Sequence, residues 1–143
     1  MLTFTEAVAA VKLRGENMAR ACASGHWAMA RAVSRCSDFA VASHGPLQRE
    51  TARVVAQYLS TIPHRPQCAA YMTNVGARRV RYDSAAVLDD LADAVAHPVR
   101  WFDIMRLLPE LGVRATIEMP LGHVLSRLVT HDAGSERIQR YRR

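Results

Sequence analysis

Cysteine, lysine and long apolar runs are all scarce in this sequence, and each scarcity excludes something. The three cysteines, Cys22, Cys36 and Cys68, are odd in number and never fall in a CxxC pair. Neither a disulfide framework nor a zinc site is therefore indicated. Cys22 and His26 stand four apart, but Ser24 and Gly25 between them weaken the helix that would align two ligands. No apolar run reaches the length of a membrane span. The opening stretch MLTFTEAVAAVKLRGENMARA carries Glu6 inside an amphipathic pattern, which is not how a signal peptide reads. A cytoplasmic protein with no membrane partner is expected.

Lysine is nearly absent: of 19 basic residues only Lys12 is a lysine. The other basic residues are arginines scattered among many alanines, a bias of composition and not a shaped patch. Only RIQRYRR, at 137–143, clusters them. A nucleic-acid binder would interleave basic residues with exposed aromatics or carry a recognition motif, so no nucleic-acid partner is expected. The net charge of +6 still permits electrostatic steering towards an acidic protein. With 143 residues the chain is one domain's length and long enough for a real core.

Hydrophobic spacing and breakers divide the chain into elements. Thr5 or Thr3 caps a first helix over about 3–20, with Phe4, Val8, Val11, Leu13 and Met18 as its apolar stripe. Residues 26–38 suit a short helix or a strand. In SHGPL, Pro46 disfavours helix at Gly45 and fits the first turn of a helix from about 47 to 60, so His44 sits on the loop that feeds it. CAAYMTNV, at 68–75, reads as a short buried strand, and NVGARRVRYDS as the turn and loop after it. Asp83 or Ser84 caps a helix built on Val87, Leu88, Leu91 and Val95, which His97-Pro98 stops. VRWFDIMRLLPELG forms another helix closed by Gly112, VRATIEM (113–119) a strand, and LGHVLSRLVTH (121–131) a last helix. Alternation with short connections predicts an α/β fold with a short, mainly parallel sheet flanked by helices.

Two residues can carry chemistry. His44, on a loop beside a helix start, has an imidazole free to take and return a proton, although a turn histidine is often only structural. Arg14 lies on a largely apolar segment, where a guanidinium can grip a carboxylate through two parallel hydrogen bonds. Its alternative is an exposed side chain paired with Glu16 or Glu6. A nucleophile is missing. The nearest echo of a Gly-x-Ser-x-Gly elbow is GHWAM at 25–29, with Trp27 at the serine position, and Ser43 merely adjoins His44.

Four stretches in this order resemble the malonyl-CoA:acyl carrier protein transacylase family, and within it most nearly the epsilon subunit of malonate decarboxylase. LTFTEAVAAVKLRGENM is similar to the family helix with an arginine before a glycine. VASHGPL resembles its histidine motif, LADAVAHPVRWFDIMRLLPELG its Pro-Val-x-Trp segment, and IEMPLGHVLSRLV its closing Glu-x-Gly-Pro-Gly-x-Val-Leu motif. Met119-Pro120 in that position points to the decarboxylase branch, and Pro120-Leu121-Gly122 stands where the family has Gly-Pro-Gly. The resemblance covers roughly residues 2–20 and 39–131.

The resemblance implies a partial acyltransferase domain of the α/β-hydrolase-like kind over 1–131. It would comprise an arginine helix at 3–20, a shortened connection at 21–38 where the family inserts a ferredoxin-like subdomain, and a histidine loop and α/β part at 39–131; a basic tail at 132–143 follows the domain. It implies ping-pong transfer of malonyl between coenzyme A and a carrier-protein phosphopantetheine thiol through an acyl-serine. His44 would be the base, oriented by the backbone carbonyl at Ala94, and Arg14 would hold the free malonyl carboxylate. No cofactor would be bound. Malonyl-CoA would be the substrate, and an acyl carrier protein or malonate decarboxylase carrier subunit the partner. The family's Gly-His-Ser-x-Gly elbow and its oxyanion segment are missing from this sequence, so a truncated chain, inactive alone, is expected. The alternative is a non-catalytic fragment or interaction module completed by a partner chain.

Overall fold

The structure, a computed structural model, describes residues 1–23, 27–29, 37–39, 43–119 and 125–126. It divides into two compact units, Met1–Val99 and Arg100–Arg143. Expectations for 30–36, for most of the last helix and for the basic tail lie outside the described residues.

Among the described residues, three α-helices build the first unit. Helix α1 runs Phe4–Ala21, α2 Arg49–Ser60 and α3 Ser84–Asp93. Thr3 starts α1 with a complete capping box: its hydroxyl accepts from the Glu6 N–H, and the Glu6 carboxylate accepts from the Thr3 N–H at 2.7 Å. Asp83 starts α3 by accepting from the Ala86 N–H at 3.0 Å. Helix α2 lies between the other two and contacts both. The core is Val55, Leu59, Ile62, Leu88 and Ala92, with Leu2, Ala10, Tyr58 and Leu91 packed against it.

The expected stripe of α1 is corrected by this packing. Phe4 (85% exposed), Val8 and Val11 face outward, while Ala10, Leu13 and Met18 turn inward. Both sides of α1 are apolar enough to be buried, and the alanine-rich side allows the closer approach to α2.

The expected parallel sheet is corrected too. Among the described residues both ladders are antiparallel and two-stranded. Strands β1 (Trp27–Met29) and β2 (Ser37–Phe39) pair with Trp27 opposite Phe39. Strands β3 (Tyr71–Met72) and β4 (Arg79–Val80) pair with Tyr71 opposite Val80. Neighbouring strands joined by a short turn form hairpins, whereas parallel pairing needs a crossover of a dozen residues or more. The strand expected over 68–75 therefore shrinks to two residues, and its partner lies in the segment read as loop. Residues 113–119 alternate in polarity but carry no strand.

In the second unit, α4 (Trp101–Glu110) ends as expected at Gly112, whose φ is +79°. The N–H of Gly112 donates to Pro109 O (2.9 Å) and that of Val113 to Leu108 O (3.0 Å), a full Schellman closure. Further on, the Glu118 carboxylate accepts from the N–H groups of Leu125 and Ser126 at 3.0 and 2.9 Å, capping a helical turn at 125–126.

Candidate active site

His44 sits where the sequence put it, on the loop before α2, and the end of α3 holds it there. A helix leaves its last carbonyls without intrahelical partners. Here the proline of His97-Pro98 makes one vacancy permanent: Pro98 is four residues past Ala94 and has no N–H to offer its carbonyl. His44 fills the gap. Its Nδ1 lies 2.5 Å from Ala94 O, and its backbone N–H donates to Val95 O at 3.1 Å. A carbonyl can only accept, so Nδ1 carries the proton and the neutral ring keeps its lone pair on Nε2. This is the tautomer a general base needs.

The backbone at His44 is left-handed, with φ +57°, which a residue with a Cβ adopts at a cost of about 1–2 kcal/mol. The two bonds to α3 offset that cost. Immediately afterwards Pro46–Gln48 form one 3-10 turn, with Gln48 N–H on Gly45 O at 2.9 Å, and lead into α2.

Arg14 is half-buried on α1, four residues from Ala10 and from Met18 and so on the inward side. Both carboxylates that could have taken it are engaged elsewhere. Glu16 pairs with Lys12 at 3.9 Å, and Glu6 takes two hydrogen bonds from Arg65, at 2.6 and 3.0 Å. Among the described residues the Arg14 guanidinium has neither ion pair nor hydrogen bond. Burial alone pushes its pKa down, and an arginine remains charged even so. A guanidinium so placed can grip an anion through two parallel hydrogen bonds.

One buried side chain ties the start of α2 to the end of α1. Gln48 is 0% exposed; its Nε2 donates to Cys22 Sγ at 3.4 Å, and its Oε1 accepts from Thr51 Oγ1 at 2.7 Å. Cys22 caps α1, the arginine helix, and Gln48 ends the turn that begins two residues after His44. Sequence reasoning passed over Gln48 because it is polar. The signal was its spacing: 48, 51, 55 and 59 form one inward row at steps of three and four.

A second buried polar cluster stiffens α3 one turn before its end. Asp90 Oδ2 accepts from Tyr71 Oη (2.8 Å), the Asn74 N–H (2.8 Å) and Asn74 Nδ2 (3.1 Å), and its Oδ1 accepts from the Val75 N–H (3.0 Å). Burial, and then the bond to Asp90, pushes the Tyr71 phenol well above its ordinary range. Asp90 O in turn accepts from the Ala94 N–H at 2.9 Å. The turn between β3 and β4 is thereby fixed to the helix that orients His44. In the second unit Trp101 begins α4, and its Nε1 is buried without a partner among the described residues.

Neither a protein-family model nor a curated protein matches the sequence. Solved structures do. The malonyl-CoA:acyl carrier protein transacylase of Xanthomonas oryzae superposes with a TM-score of 0.83 over 97% of this chain and 61% of its own, at 21% identity. The acyl carrier protein S-malonyltransferase of Vibrio cholerae gives 0.78 over 98% of this chain and 63% of its own, at 20% identity. The likeness is one of fold. This mixed α/β chain resembles part of an acyltransferase domain and spans about three-fifths of the length of these structures. A further neighbour (TM-score 0.67, 23% identity, 76% of this chain and 35% of its own) is a malonyl-transacylase in complex with a type II polyketide synthase acyl-carrier protein. No helix among the described residues is long and apolar enough to cross a membrane.

Proposed function

We propose that this chain carries the base and the carboxylate clamp of a malonyl transferase of the malonyl-CoA:acyl carrier protein type, of the kind found in the malonate decarboxylase epsilon subunit. The observation that carries the reading is His44, whose Nδ1–H is fixed on Ala94 O so that Nε2 is free to accept a proton. In this role His44 deprotonates first a serine and later the phosphopantetheine thiol of a carrier protein, a cytoplasmic acyl carrier or malonate decarboxylase carrier subunit. Arg14 binds the free carboxylate of malonyl-CoA, and leaving its guanidinium unpaired penalises uncharged acyl groups.

The 143 residues contain no Gly-His-Ser-x-Gly elbow, so the chain is inactive by itself. Malonyl-CoA and holo carrier protein incubated with the pure chain should give no malonylated carrier above background. Turnover that survives Ser43→Ala but not His44→Ala would overturn that and require another nucleophile. The carboxylate clamp is tested separately by binding. Malonyl-CoA should bind at least about tenfold tighter than acetyl-CoA, and Arg14→Ala should abolish the difference. Equal affinities in the unaltered chain would remove Arg14 from the site.

A second reading, a non-catalytic module completed by a partner chain, is favoured by one observation. Phe4, Val8 and Val11 form an exposed apolar row at steps of four and three along α1. A monomer at every concentration in sedimentation, with no tendency to associate, counts against it.

A further inference from the structure

Helix α1 has two apolar sides, and the core takes only one of them. On the other, Phe4 is 85% exposed, Val11 70% and Val8 50%. Gly15 is exposed too and continues the row, and a Cβ added there would meet nothing within 4 Å. From Phe4 to Val8, Val11 and Gly15 the steps are four, three and four residues. That is the seam spacing of two helices that pack side by side along their length.

The row is complementary to itself when read backwards. Place a twofold axis midway between Val8 and Val11, with two copies of α1 antiparallel. Phe4 of each copy then lies level with Gly15 of the other, and Val8 with Val11. The largest side chain meets the one position that has none, as knobs-into-holes packing requires. A parallel pair would instead crowd Phe4 against Phe4 and leave a gap at Gly15.

Charge favours the same register. In the antiparallel pair Glu6 falls level with Leu13, Lys12 with Ala7, Arg14 with Thr5 and Glu16 with Thr3. No charge faces its like. In a parallel pair each of the four would lie level with its own copy, and like charges brought together at an interface are costly. Lys12 and Glu16 already pair within the helix at 3.9 Å, so neither needs a partner across the axis.

We propose that a second copy of this chain covers the row, in a twofold antiparallel pair of α1 helices. One patch serves both copies, as it must in a twofold dimer. Contact over these four levels and their flanks buries on the order of 1,000 Å², the low end for a specific interface, so a Kd of about 10–100 μM is expected. The inference rests on the second reading above, a module completed by another chain, and names that chain. It does not depend on the roles of His44 and Arg14.

Sedimentation of the full chain should show a monomer–dimer equilibrium in that concentration range. Val11→Asp, at a largely exposed position, should weaken the dimer at least about tenfold. Gly15→Leu separates association from folding. The position is open and leucine favours helix over glycine, so Tm should hold or rise. The filled gap excludes Phe4, so the dimer should still weaken at least about tenfold. Orientation is read by cross-linking in chains whose Cys36 and Cys68 are replaced by serine. Phe4→Cys mixed with Gly15→Cys should give a disulfide-linked dimer on mild oxidation, and neither chain should do so alone. Self-linking of the Phe4→Cys chain would overturn the antiparallel register. A dimer that withstands both Val11→Asp and Gly15→Leu would overturn the α1 pair and leave the second reading standing. A monomer at every concentration would overturn both.

Discussion

Glu6 and Arg65 tie the pH dependence of folding to one contact. Hydrogen bonds from Arg65, followed by the bond from the Thr3 backbone, lower the Glu6 pKa from 4.5 to about 2. A carboxylate with a depressed folded pKa stabilises the fold at pH values above its unfolded pKa. That contribution should be full above about pH 4.5 and disappear as pH falls towards 2. Arg65→Ala should therefore lower Tm at neutral pH, and the gap to the unaltered chain should close across this window when both are melted at a series of pH values. A gap that persists at pH 2 would assign the effect to packing of Arg65 instead. Asp90 is a costlier residue to lose, because its carboxylate serves two backbone N–H groups and the Tyr71 hydroxyl. Asp90→Ala should cost about 3 kcal/mol in urea unfolding, and Asp90→Asn, which keeps one acceptor oxygen, clearly less. Equal costs would mean that the donors find water. The place of His44 on the loop before α2 was legible in Pro46. That Glu6 is taken and not available to Arg14 was not, because Arg65 reaches it across 59 positions of sequence.

At the scale of elements, local signals carried furthest where the element closes on itself. The capping box of α1, the Asp83 cap of α3 and the Gly112 stop of α4 each need only residues a few positions apart. Gly112→Ala is the test of the last: an alanine at φ +79° should cost about 1 kcal/mol and leave the rest of the spectrum unchanged. No loss in thermal unfolding would show that the Schellman closure gives way to another end. Strands were less legible, for a physical reason. Alternation in VRATIEM states which side could be buried but supplies no partner, and a ladder exists only where a second strand lies alongside. The hairpin of β3 and β4 was hidden in the same way, since Arg79-Val80 has little pattern of its own and pairs through the turn that Asp90 fixes. The outward row of Phe4, Val8 and Val11 was misassigned because α1 is apolar on two sides, and only the neighbour α2 decides between them.

For the whole molecule, the division at Val99 and Arg100 sets the last expectation. Every residue of the core cluster, the two carbonyls that orient His44, the Gln48 link to α1 and the Asp90 network lie within Met1–Val99. That stretch exceeds the size at which single domains commonly fold unaided. A chain of residues 1–99 should therefore unfold cooperatively in urea, and its His44 ring should show the same Nδ1-protonated tautomer by nitrogen NMR as in the full chain. The tautomer readout matters because a collapsed but loosely packed fragment could retain helix without the site. If residues 1–99 fold cooperatively yet His44 loses its tautomer, the orientation of the base depends on the C-terminal unit, and the site cannot be assigned to the first unit alone. If the fragment shows no cooperative transition, the two units are one folding body and the contacts within Met1–Val99 are insufficient to hold it.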